Sequence, residues 1–227
     1  MTYQAATRGV VASPASDGAV TTTRTLLACG AVAGPLFILV GFAAAVTRTG
    51  FELSKHPLSL LSVGDQGWIQ ITNFVAAGLL FVASAFGVRR ALHRGRAGTW
   101  GPRLIGAFGV SLVAGGVFVA DPGLGFPPGT PEGVPEELSW HGMLHGVAPV
   151  IGFLALSVTC FVFARRAFGL QQRAWAVASI AVGIGTQVLA AMPNLSNNFI
   201  PLWIAMVVGF GWLSVQAARL RAELAHA

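Results

Sequence analysis

Charge is the scarcest commodity in this 227-residue chain: Asp, Glu, Lys and Arg together make up 10% of it, while 54% is hydrophobic. Soluble domains carry roughly 25% charged residues, so the deficit points to a membrane protein. Cysteine is nearly missing too. Cys29 and Cys160 both lie in apolar runs, which excludes a disulfide framework or a cysteine-based metal motif. Nor is there a phosphate-binding loop, a dinucleotide fingerprint or a Gly-x-Ser-x-Gly elbow. The net charge of +6 does not require nucleic acid, because the placement of the charges explains it better.

Glycine, by contrast, is abundant, with 29 residues, as closely packed transmembrane helices require. Six apolar runs, at 25–46, 68–88, 104–120, 140–164, 174–192 and 200–218, contain no Asp, Glu, Lys or Arg. Each is about long enough for the hydrocarbon core. Only helices satisfy every backbone group in lipid without closing a barrel. The expected fold is therefore all-α, a single six-helix transmembrane bundle spanning 24–221. A cytoplasmic tail over 1–23, read as disordered, precedes it and a short tail over 222–227 follows. Run 25–46 exceeds the ~7–15 residues of a signal-peptide core.

Twelve of the fourteen basic residues fall before the first run, between the second and third, between the fourth and fifth, or after the sixth. Arg48 and Lys55 lie on the other side, with six of the eight acids. The positive-inside rule then places both termini in the cytoplasm. All six tryptophans sit near run ends, where an aromatic belt would lie. Basic loop 89–103 is suited to anionic lipid headgroups; His93 within it and His226 at the tail read as solvated.

The outer loops differ in kind. In 47–67, Pro57 and Gly64 bracket a short interfacial helix. Segment 121–138 holds five prolines and four glycines and reads as ordered coil folded over the outer face as a lid. The third loop, 193–199, is short and rich in asparagine.

The polar residues expected at this outer face are Arg48, His56, Ser59, Gln70, Asn73, Asp121, His141, His145 and Gln187. His141 and His145 are one helical turn apart, beside Gly142 and Gly146, where a neighbouring helix can come close. With His56 and Asp121 they offer three nitrogens and an oxygen, an acceptable zinc set. A metal there would activate water for hydrolysis of a lipid or amide, with Asp121 and Ser59 as catalytic candidates. Ser59 or Arg48 would hold an oxyanion or phosphate headgroup, and Arg48, Gln70 and Asn73 would line a ligand site. The layout resembles, in residue types alone, intramembrane hydrolases such as ceramidases and adiponectin-type receptors; helix count and motif order differ. The rival is a non-enzymatic module that binds a lipid or small ligand, its histidines serving as polar packing. The absence of a Glu beside His-x-x-x-His favours that rival. A transporter ranks third, since no ionisable group lies near the midplane.

Gly34-Pro35, Thr47-Arg48, His56-Pro57 with Ser59, Gly67-Trp68-Ile69-Gln70 and Asn73-Phe74 carry a resemblance. Asp121-Pro122 and His141-Gly142 with His145 extend it. The chain resembles uncharacterised bacterial six-pass membrane proteins catalogued as domain of unknown function number 998. The resemblance implies an integral protein of the bacterial plasma membrane in contact with lipid; it implies no activity.

Overall fold

The computed structural model describes residues 17–225, among which the regular structure is helical with no strand. Six long helices carry the fold: α1 (Asp17–Thr47), α2 (Gly67–Ala91), α3 (Gly95–Val117), α4 (Trp140–Gly169), α5 (Arg173–Ala191) and α7 (Ile200–Glu223). A one-turn helix, α6 (Pro193–Ser196), links the last two, and a 3-10 helix (Leu58–Ser62) lies between α1 and α2. The helix at Asp17 takes in the end of the expected tail; residues 1–16 and His226 lie outside the described residues.

Each long helix packs against its chain neighbours, and α7 closes back on α1. The result is a closed ring of six antiparallel helices. One end carries the long connections 48–66 and 118–139, and the other carries most of the arginines.

The faces explain the ring. Leu27, Gly30, Gly34, Phe37, Gly41 and Ala45 recur every three or four residues along α1 and are buried, the spacing of one helical face. Val32, Leu39, Phe42 and Val46 on its other faces are exposed and equally apolar. A helix in water would carry polar residues there, so the surroundings of this bundle are themselves apolar. The chain has the make-up of a multi-pass membrane protein, with α1, α2, α4, α5 and α7 long and apolar enough to cross a membrane.

The third expected run departs from that. Helix α3 begins at Gly95 and takes in Arg96, Pro102 and Arg103. Its uncharged stretch from Leu104 to Val117 covers only about 20 Å at 1.5 Å per residue, against a core of ~30 Å. It completes the ring without matching its neighbours in apolar length.

Inside the ring, Phe37 meets Phe74 and Phe210 at 5.1 and 5.0 Å between ring centres, and Phe108 meets Phe81 and Phe210 at 5.0 and 4.9 Å. Helices α1 and α7 touch by a polar insertion. The Gly34 N–H donates to Ser214 Oγ (3.1 Å), and that hydroxyl donates to the Gly30 carbonyl (2.9 Å). The Ser214 hydroxyl thus occupies the gap where an intrahelical bond would run, one residue before Pro35. A similar repair serves α3: Pro102 has no N–H for the Gly98 carbonyl, and Arg89 donates to it at 3.0 Å.

Tryptophan placement needs a correction. Trp68, Trp100 and Trp140 are exposed as a belt requires. Trp212 is buried, stacks on Trp175 at 6.1 Å and donates to Ser179 Oγ at 3.1 Å. Trp203 donates weakly to the His56 carbonyl. These three rings hold helices and loops together.

Candidate functional site

The long-loop end is closed by two lids. The 3-10 helix begins after Pro57, as the sequence suggests. It buries Leu58, Leu60 and Leu61 in the mouth of the ring instead of lying at an interface. Arg48 holds its end by donating to the Leu61 and Val63 carbonyls at 3.3 and 2.7 Å. The same guanidinium sits 5.2 Å from the Phe126 ring centre, a cation–π distance. Burial lowers the Arg48 pKa, with Asp65 opposing the shift.

Segment 121–138 folds over the end as irregular chain, as expected, with Phe126 fully buried. His56 is its anchor. Its Nδ1 accepts from the Glu52 N–H at 2.9 Å, so Nε2 carries the proton and donates to the Leu124 carbonyl at 2.9 Å. Phe51 and Phe126 flank the ring at 5.2 and 5.4 Å. An exposed Lys55–Glu132 ion pair at 2.7 Å adds a second tie, of the kind that contributes little.

Asp121 is fully used as well. Its oxygens accept from the Ser139 N–H (2.8 Å) and the Ser139 hydroxyl (2.6 Å). Ser139 is the N-cap of α4 and accepts from the Gly142 N–H at 3.1 Å. The carboxylate therefore stands behind a helix N-terminus, where its charge is stabilised. A Cβ on Gly142 would overlap it, which accounts for glycine at that position.

The histidine pair divides. His141 is exposed and lies against Trp140, with 3.7 Å between ring centres and the rings tilted by 32°. His145, a turn deeper, is buried, and its Nδ1 lies 2.7 Å from the Phe118 carbonyl and 3.1 Å from that of Gly115. Both acceptors sit at the C-terminal end of α3, where carbonyls lack helical partners. Nδ1 therefore carries a proton, and in that tautomer Nε2 is the acceptor.

The expected zinc set of His56, Asp121, His141 and His145 is not assembled. Among the described residues no three or more His, Cys, Asp or Glu side chains gather closely enough to hold a metal ion. The physical reason is that backbone groups and a helix cap already engage His56 and Asp121, while His141 stays at the surface.

A different feature does converge. A cavity of about 190 Å³ lies beneath the 3-10 helix, among α1, α2, α3, α4 and α7. Its walls are almost wholly apolar, including Phe37, Phe74, Phe108, Met206 and Phe210. The polar side chains on them are Ser59, Ser111 and His145. Ser111 donates to the Phe108 carbonyl at 2.7 Å. Arg48 and the pair Gln70–Asn73 stand apart from this lining. Asn73 Nδ2 donates to the Phe37 carbonyl (3.0 Å) and to Gln70 Oε1 (3.2 Å), bridging α2 to α1.

The cavity was hidden from a reading of polar residues, since most of its lining is phenylalanine and small residues. One signal was available: Pro149 stands four residues after His145, and its missing N–H leaves the His145 carbonyl without its helical partner.

An all-helical protein with several membrane-length apolar helices and an internal cavity is thus defined. Residues 31–219 match the family described as a protein of unknown function (DUF998). The chain belongs to that family. No curated protein and no solved structure matches it.

Proposed function

We propose that this is a multi-pass protein of the bacterial plasma membrane that binds a lipid or small amphiphilic ligand without a metal. The long-loop end faces outward, on the strength of the basic-residue asymmetry. Six helices cross, α3 lying within a locally thin or protein-lined part of the bilayer. One observation carries the reading: among the described residues, the polar side chains on the wall of an apolar cavity are two serines and an imidazole. Ligand sites are concave and mostly apolar with a few placed polar groups. His145 and Ser59 take the binding role, while Arg48, His56, Gln70, Asn73 and Asp121 hold the roof and helix ends in place.

Photolabelling tests this. Protein in nanodiscs is irradiated with a chain-diazirine hexadecyl probe, and the adducts are mapped by mass spectrometry. Adducts at Phe153, Leu202 or Met206 are expected. The variant Gly115→Leu should cut them about tenfold, because a Cβ there has open space, with the Phe74 ring at 3.6 Å as its nearest neighbour. Adducts confined in both proteins to outward residues such as Val150 and Ile204 would refute the reading.

A further inference from the structure

Three features around His145 specify a ligand chemistry. The Nδ1–H is committed to the end of α3. No described residue bonds Nε2, and the His145 side chain lines the cavity. Pro149 withholds an N–H from the His145 carbonyl, and no described side chain donates to it. The Gly98 carbonyl, freed by Pro102 in the same way, has Arg89 as its partner. Nε2 thus lacks a donor of the kind that His56 Nδ1 has in the Glu52 N–H.

Among the described residues no lysine or arginine lines the cavity, so a carboxylate or phosphate entering it would be buried without a counter-charge, at high cost. A second proton on the ring would likewise bury a charge among phenylalanines. What His145 Nε2 lacks is a neutral donor.

The route follows from the lining. Helices α4 and α7 contribute Ala148, Pro149, Gly152 and Phe153 on one side and Leu202, Met206 and Phe210 on the other, while α5 contributes none. Pro149 is exposed, and Phe153 and Leu202 are half-buried, which marks a mouth between the two helices on the outer surface of the ring. Toward the arginine-rich end the same helices are tied through α5, by Ser157 to the Gly183 carbonyl (2.6 Å) and by Trp212 to Ser179. A cavity of this size exceeds the ~150 Å³ that admits benzene. It takes a headgroup and the first few carbons of a chain, and the remainder must extend through the mouth into the surrounding lipid.

Resting on the proposed ligand-binding role, we infer that the occupant is a neutral single-chain lipid with a hydroxyl or amide N–H at its head. The head donates to His145 Nε2, the Ser59 hydroxyl serves its oxygen, and the chain leaves between α4 and α7.

Four chain-diazirine probes test it in nanodiscs: hexadecanol, its methyl ether, hexadecanoic acid and butanol. They are applied to the wild type, to His145→Asn and to Ser59→Ala. Asparagine keeps an N–H donor for the end of α3 and removes the Nε2 acceptor. In the wild type, hexadecanol should label the cavity about tenfold more than its methyl ether, since the ether leaves the buried acceptor unpaired. His145→Asn should erase that preference while chain labelling persists, and Ser59→Ala should weaken hexadecanol and its methyl ether alike, since both present an oxygen to the hydroxyl. Equal labelling by alcohol and ether in the wild type would overturn the inference and leave the binding role standing. Preference for the acid would overturn the neutral-donor chemistry, and preference for butanol would overturn a membrane source. Absence of cavity labelling by every probe would refute the binding role itself.

Discussion

Replacing His56 with phenylalanine separates the anchoring of the lid from its packing. The ring is 1% exposed and lies against Phe51 and Phe126, so phenylalanine preserves most of the aromatic contact. What it removes is the pair of bonds to the Glu52 N–H and the Leu124 carbonyl, each 2.9 Å. Both bonds are part-buried, so water can partly replace them. Each loss then falls nearer the ~0.5–1.5 kcal/mol net value of a hydrogen bond than the full penalty of an orphaned group. Together they cost about 1–3 kcal/mol, which raises the open fraction of segment 121–138 by roughly 5–150-fold. Hydrogen exchange followed by mass spectrometry reads this directly. The amides of Leu124, Gly125 and Phe126, bonded to the carbonyls of Gly133, Pro131 and Gly123, should exchange faster by that factor. Amides in the centre of α2 should be unaffected. Unchanged protection of 123–126 in a folded His56→Phe protein would refute the claim that this imidazole holds the lid.

Gly34→Ala should destabilise by roughly 1–3 kcal/mol, the usual cost of overpacking. A Cβ there would lie 2.5 Å from Ser214 Oγ and 2.6 Å from the Phe210 carbonyl; thermal unfolding in detergent measures it. His141→Ala, at an exposed position with no role in the cavity, should change stability by less than about 0.5 kcal/mol. Chelator treatment of the wild type should leave its unfolding temperature unaltered. Stoichiometric zinc that is lost in His141→Ala would reinstate the metal set.

The helices were legible because an uncharged apolar run of membrane length admits one backbone solution, and because proline, glycine and arginine mark its ends. Runs 140–164 and 200–218 correspond to α4 and α7 within a few residues on that ground. The brackets Pro57 and Gly64 located the 3-10 helix for the same local reason. Helix α3 was less legible, since Arg96 and Arg103 belong to its first turns and only the fold shows the helix continuing through them.

The site was legible as a set of residue types and illegible as a set of partners. Spacing correctly puts His141 and His145 on one helical face, yet it cannot say that α3 ends beside the second and not the first. That difference makes one imidazole a surface group and the other a cavity wall. His56 and Asp121 looked like free ligands because backbone carbonyls and N–H groups, which finally engage them, carry no sequence signature. By itself the sequence determined the helices, their apolar surroundings and the loop-rich end. The tertiary structure decided which polar atoms are consumed by the backbone and which remain unpaired, because that depends on which helix ends and loops come close to them, and proximity between helices is not written in the chain.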